Sequence, residues 1–290
     1  MSDITLIDDS EQSSLVTNGL ARNGELYLKK AGSTDAGSIV VYDSGAWKTF
    51  ANEASGFSNR YAALFDGTND FFTLSSAATL YGSTGYTMSA WVNSTEQDVG
   101  YNHIIKAGSN DYISIVTDVI RINGTAGYID IPNTTSNSDD LQGWHHHVVT
   151  YDGSVAKYYL DGVYEGAATK NIGDIAVATL SVGSTYEFGG YMSDVAIINS
   201  ALTDGGVSVG DAAGGEVASL RDSGKPVNIS TLGLDIEAWW RFGDDPSESP
   251  SDGAAISSVT DSSGNGYTLS ASGVTAPYYY ELPSDNEQRV

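Results

Sequence analysis

The chain has no cysteine among its 290 residues. That removes disulfide frameworks, thiol catalysis, zinc-thiolate sites and iron–sulfur clusters together, and it leaves the redox compartment undetermined. Positive charge is also scarce, with 13 Lys and Arg against 37 Asp and Glu and a formal net charge of −24. A surface this negative repels phosphate backbones and anionic headgroups, so neither nucleic-acid partners nor membrane insertion is expected. Charged residues are only 17% of the chain, against about 25% usually. The acidity therefore comes from missing cations rather than from acidic runs. No apolar run approaches the roughly 18 residues of a membrane span. The opening Met1-Ser2-Asp3-Ile4-Thr5-Leu6-Ile7-Asp8-Asp9 puts acids where a signal peptide needs a basic start, so no classical export signal is expected.

What is present argues for a folded β protein. Hydrophobic residues make up 40% of the chain, with 18 Tyr and 5 Trp, too many for disorder. Helical periodicity is nearly absent, and short β-branched or aromatic runs recur: Tyr112–Val116, Val119–Ile122, His147–Tyr151 and Lys157–Asp161. They are bounded by Asn123-Gly124, Asp152-Gly153 and Asp161-Gly162, dipeptides that accept the positive φ of tight hairpin turns. Regular short strands of this kind favour a sandwich or barrel. One short helix is expected at Glu216–Arg221, closed by Gly224 and Pro226. Two strand-like pieces, Glu25–Leu28 and Ser38–Tyr42, precede the dense pattern.

Seven segments then fall in one order. They are Leu64–Phe71 (LFDGTNDF), Met88–Val92 (MSAWV), Trp144-His145-His146 with Thr150–Gly153, and Tyr158–Gly162 (YYLDG). Leu180–Gly183 (LSVG), Phe188–Val195 (FGGYMSDV) and Asn199–Thr203 (NSALT) follow. Together they resemble the laminin G-like domains of the concanavalin A-like lectin/glucanase group. The resemblance implies an antiparallel jelly-roll sandwich in which Trp91 and Trp144 are core residues. A second signature, Glu237–Asp244 (EAWWRFGD) with Asp261–Leu269 (DSSGNGYTL), opens the domain in many relatives but here comes last. That late placement resembles structural proteins of marine tailed phages. It implies that the tail supplies a closing strand to a sandwich begun at Tyr61.

Several chemical motifs meet a counter-argument. Gly206-Val207-Ser208-Val209-Gly210 spells G-x-S-x-G, yet all four histidines (103, 145, 146, 147) precede Ser208, against the hydrolase order. Asp235-Ile236-Glu237 is similar to the E-x-D-x-E strand of the glucanase branch, but Gly233 stands where the first Glu is needed. His145 and His147 share one strand face and His146 takes the other, which favours packing and hydrogen bonding over a metal. Asp261, Ser263 and Asn265 are the candidate ligands of a calcium loop, although Ser272 holds the place of the closing acid. Asx-turn chemistry is the competing reading there and at Asp66–Asp70. Loop aromatics are the candidate sugar platforms: Tyr81, Tyr86, Tyr101, Tyr112 and Tyr128, of which Tyr101, Tyr112 and Tyr128 are preferred.

The sequence thus points to an all-β protein. Residues 1–60 form a small β module for attachment or oligomerisation, 61–285 a laminin G-like jelly roll closed by 235–270, and 286–290 a tail. What the resemblance implies for function is a non-enzymatic phage fibre, spike or decoration subunit. Its partners would be other virion proteins through residues 1–60, copies of itself, and host-surface glycans. It would need no cofactor beyond calcium, and would be assembled in the host cytoplasm. A bacterial surface adhesin or carbohydrate-binding module, extracellular in location, is the alternative; a polysaccharide-active enzyme is a further one.

Overall fold

The computed structural model describes residues 57, 59–95, 119–132, 143–179, 188–222, 224–272 and 276–282, together with strand backbones at 5–7, 26–29, 39–43, 46–50, 102–107, 111–116 and 180. The chain divides into two compact units, Met1–Ser58 and Asn59–Val290. In the first, β1 (Thr5–Ile7), β2 (Leu26–Lys29), β3 (Ile39–Asp43) and β4 (Ala46–Phe50) form one sheet in that order. β1 and β2 run parallel, and the other neighbours are antiparallel.

The second unit is a sandwich of two antiparallel sheets. Its strands begin with β5 (Tyr61–Asp66), β6 (Phe71–Leu80), β7 (Tyr86–Ser94), β8 (Asn102–Ala107), β9 (Asp111–Val116) and β10 (Val119–Gly124). They continue with β11 (Gly127–Pro132), β12 (His145–Tyr151), β13 (Val155–Leu160), β14 (Val163–Thr169), β15 (Ile175–Leu180) and β16 (Gly189–Ile198). A short helix α1 (Gly215–Ala218) and a small ribbon of β17 (Arg221–Asp222) and β18 (Lys225–Pro226) follow. The last strands are β19 (Ile236–Trp240), β20 (Ser258–Val259), β21 (Leu269–Ser272) and β22 (Tyr278–Glu281). Sheet I has the order β14-β13-β12-β7-β16-β5-β22, with β19 also on β16; sheet II has the order β11-β10-β9-β8-β15-β6-β21-β20.

Period-2 side-chain alternation turns one row of each strand inward. From sheet I, Phe65, Met88, Val92, Val149, Tyr158, Ile197 and Trp240 enter the core, and from sheet II come Phe72, Ile120, Ile122, Ile129, Ile131, Val177 and Leu269. Of the hairpin dipeptides, Asn123-Gly124 is not the turn: both residues are paired in β10, without positive φ, and the chain reverses at Thr125-Ala126, whereas of Asp152-Gly153 only Gly153 has positive φ (99°). Asp161 and Gly162 both have positive φ (51° and 79°) and join β13 to β14, the backbone of a type I′ turn. Gly190 is required for a different reason. At φ 140° it lies against β7, where a Cβ would collide with the Asn93 carbonyl.

The tail belongs to the sandwich. β16 pairs with β5 through Gly189–Met192 and with β19 through Val195–Ile198, so β19 continues the row where β5 stops. β22 pairs with β5 and β21 with β6. Trp240 is fully buried and donates from Nε1 to the Tyr267 carbonyl at 2.6 Å.

Two local expectations change. The helix ends at Ala218, because Arg221 already pairs with Pro226 in the ribbon. Trp91 and Trp144 are buried, but with Ala62 in a satellite cluster apart from the main core.

Candidate functional site

The two outward sheet faces differ in what covers them. On sheet I, residues 199–213 cross the face. Thr87 Oγ1 donates to the Ser200 carbonyl at 2.7 Å and accepts from Leu202 N, and Tyr164 N donates to the Asp211 carbonyl. A cavity of about 440 Å³ at this edge is lined by Thr150, Lys157, Thr203, Asp204 and Gly206 among others. Its central charges are already paired. Asp204 accepts from Lys157 Nζ (2.8 Å), Tyr159 OH (2.7 Å) and Gly206 N (2.9 Å). Burial alone would raise Asp204, but these hydrogen bonds outweigh it and hold it at about 2.

The outward face of sheet II has a different composition. Cross-strand partners run without a break as Tyr128–Asn123–Tyr112–Lys106–Thr179–Thr73–Ser270–Ser258. Directly opposed residues in antiparallel pairs share a face. The neighbours Ile122, Phe72, Leu269 and Val259 are all core residues, which turns Asn123, Thr73, Ser270 and Ser258 of this row outward. At about 4.8 Å between strands, eight positions cover about 34 Å. Every one is polar or aromatic.

Tyr128 anchors one end. It is 50% exposed, and its ring lies 4.5 Å from the Arg121 guanidinium carbon and 5.2 Å from Lys170 Nζ. Arg121 is held by two bonds to Asp130, Nε–Oδ1 at 2.5 Å and Nη2–Oδ2 at 2.6 Å. Lys170 Nζ donates to the Tyr128 carbonyl at 2.9 Å. These contacts hold an aromatic ring that stays half exposed. Such a platform, flanked by Asn and Thr donors and acceptors, suits the apolar C–H patches and hydroxyls of a sugar.

Residues 66–208 match the laminin G family model Laminin_G_3, described as the concanavalin A-like lectin/glucanases superfamily. A candidate carbohydrate-binding protein from Bacteroides ovatus is similar in structure over 91% of this chain and 71% of its own, at 14% identity and a TM-score of 0.54. In fold, the sandwich is a concanavalin A-like, laminin G-like jelly roll. The laminin G-like 4–5 pair of the mouse laminin α1 chain aligns over 56% of this chain and 48% of its own, at 14% identity and a TM-score of 0.38. Domain 4 of an extracellular arabinanase from Geobacillus stearothermophilus, solved with arabinotriose, aligns over 72% of this chain and 95% of its own (16% identity, TM-score 0.37). No curated protein sequence matches the chain.

In this lectin-like domain the predicted site residues have different fates. Register brings Tyr112 and Tyr128 onto one face with Asn123 between them; the Tyr112 side chain is outside the described residues, and so is Tyr101 altogether. Tyr81 is exposed, but Tyr86 is not a loop residue: it is fully buried in β7 against Tyr151, ring centroids 5.3 Å apart. The Asp261 loop directs its groups at its own backbone. Asp261 accepts from Trp239 N, Ser263 N and Tyr267 N, while Ser263 Oγ and Asn265 Nδ2 donate to the Glu237 carbonyl. Asp66 Oδ1 likewise accepts from Thr68 N and Asn69 N, and Asp70 Oδ2 from Asp66 N. Among the described residues, no three His, Asp or Glu side chains gather as a metal set.

The histidines pack in the alternation expected of a strand. His146 stacks on Trp91 at 4.8 Å and shares a 2.7 Å hydrogen bond with Ser89 Oγ. His147 Nδ1 lies 2.9 Å from Tyr158 OH, and His145 Nδ1 lies 2.7 Å from Asp161 Oδ2. Burial pushes His146 and His147 down to about 3, so both are neutral at ordinary pH. Glu237 accepts from Tyr267 OH and Asn199 Nδ2, and Gly233, where the glucanase pattern needs its first Glu, lies in a turn before β19 begins at Ile236.

Sequence reasoning missed Arg121, Asn123, Asp130 and Lys170. The first three carry a visible signal, since VIRING and GYIDIP alternate Ile with polar residues. Lys170 carries none: it follows β14 and reaches the row only through the fold.

Proposed function

We propose that the protein is a non-catalytic glycan-binding subunit that binds along the outward face of sheet II. The single observation supporting this is the uninterrupted polar and aromatic row that ends on the fixed, exposed Tyr128 ring. A face built to be inert would carry no such platform. The lectin-like fold agrees with the reading. Affinity electrophoresis through gels loaded with different polysaccharides tests it: the protein is retarded by at least one of them, and Tyr128→Ala runs as in an empty gel. Equal migration of both proteins in every gel would overturn the proposal.

The finer reading is a tailed-phage fibre, spike or decoration subunit, attached by residues 1–60 to other virion proteins, self-associating, and presenting the sandwich to host glycans. Its support is the late position of EAWWRFGD and DSSGNGYTL, which here form β19 and the turn preceding β21. Mass spectrometry of purified particles is the test, and absence of the chain from them would favour a cell-surface adhesin instead.

A further inference from the structure

The cations of this molecule are distributed unevenly. Only 13 Lys and Arg are available in the chain, yet the Tyr128 end of the sheet II row gathers Arg121 and Lys170 around one ring, and register sets Lys106 opposite Thr179 in the same row. Asp130 neutralises Arg121. Lys170 has no carboxylate within ion-pair distance among the described residues, although acids outnumber cations nearly threefold. Elsewhere the described lysine in a lined cavity, Lys157, is paired with Asp204.

An ammonium with no acid partner among the described residues, beside a half-exposed ring, stands out in a protein whose overall field repels anions. The net −24 sets a general barrier, and a cation beside the Tyr128 ring lowers it locally. A neutral glycan would gain only hydrogen bonds from the ammonium, whereas an anionic one would also gain charge attraction. Resting on the glycan-binding reading above, we infer that the ligand of the sheet II face is an anionic polysaccharide, whose carboxylate or sulfate groups meet Lys170 while its sugar rings stack on Tyr128. The Lys170 ammonium already donates one hydrogen bond, to the Tyr128 carbonyl. Of its three N–H groups, two remain for an acid group lying over the ring.

The test is binding of the full chain to three immobilised probes: a polyuronate, a sulfated galactan and a neutral β-glucan. Each is measured at low and at high salt. The expected result is binding to one or both acidic probes, at least tenfold stronger than to the neutral glucan, and weakening at least fivefold as ionic strength rises from about 0.05 to 0.5 M. Preference between the two acidic probes separates carboxylate from sulfate recognition. Lys170→Gln keeps a donor for the Tyr128 carbonyl but removes the charge, so it should lose at least fivefold on the acidic probe and lose its salt dependence. Equal, salt-independent binding to the neutral glucan would overturn this inference and leave the glycan-binding reading standing. Binding to none of a wider glycan panel would overturn both.

Discussion

The two outward faces of the sandwich come from the same kind of strand yet have opposite fates. On sheet I the face buries Trp91, His146 and Ser89; Ser89 Oγ bonds His146 Nε2 and Thr87 Oγ1 accepts from Leu202 N of the crossing segment, while His146 Nδ1 has no partner among the described residues. On sheet II the described part of the face carries Thr73, Asn123, Tyr128, Thr179, Ser258 and Ser270 in register. A covered face stabilises the fold, whereas among the described residues the other face leaves the Tyr128 ring half exposed.

The largest effect should come from removing the strands that both sheets share with the tail. Truncation before Asp235 deletes β19, β20, β21 and β22, and should leave no cooperative thermal transition by circular dichroism. A variant with an unchanged melting curve would break the account of the fold. Trp240→Ala asks the same question with one side chain. Loss of a fully buried indole costs about 3–5 kcal/mol, measured by urea denaturation.

The two buried histidines of β12, His146 on the covered face and His147 on the inward face against Tyr158, should also make stability respond to acid. Unfolded histidines protonate near 6.5, whereas His146 and His147 resist protonation down to about 3. The unfolded state then binds more protons below 6.5, so their stabilising contribution is present above that pH and is lost as pH falls toward 3. Melting temperature should decline across that window, and His146→Gln should flatten the decline. Asp204 has a lower window. Its carboxylate, held at about 2 against an ordinary 3.8, contributes stability above pH 3.8 that is lost as pH drops through 2.

The open face should show the smallest change in stability. Tyr128→Ala removes a half-exposed ring and should shift unfolding by under about 0.5 kcal/mol. Its effect belongs to binding, with a loss of about tenfold, or about 1.4 kcal/mol. A Tyr128 variant that unfolds the domain, or a His146 variant that abolishes binding and leaves stability intact, would reverse the assignment of the two faces.

Much of this was legible in the sequence, for physical reasons. Hairpin turns need residues that tolerate positive φ, and Asp161-Gly162 announced one. Ile alternation in Val119–Gly124 and Gly127–Pro132 marked which residues turn outward. The tail's strands were signalled by the AWWRF run, because two adjacent Trp in a β pattern bury on opposite sides. Pairings between distant strands were not legible. Nothing local tells Thr73 that it will face Thr179, or places Lys170 beside Tyr128. Tyr86 was misplaced for a related reason: its neighbours Gly85 and Thr84 look like a loop, and only β12 pairing through Tyr151 shows that it enters the core. The Asp261 loop had the spacing of a cation site, but its carboxylate oxygens are aimed at the N–H groups of Trp239, Ser263 and Tyr267, a choice of partner that spacing cannot reveal.

The central claim, that the sheet II face is the recognition surface, is tested most directly by titration calorimetry of one retained polysaccharide against three proteins: the unaltered chain, Tyr128→Ala, and Thr203→Ala at the sheet I cavity. The account predicts an unchanged affinity for Thr203→Ala and a loss of about tenfold for Tyr128→Ala, with all three melting alike. Loss of binding in Thr203→Ala with full binding in Tyr128→Ala would contradict it.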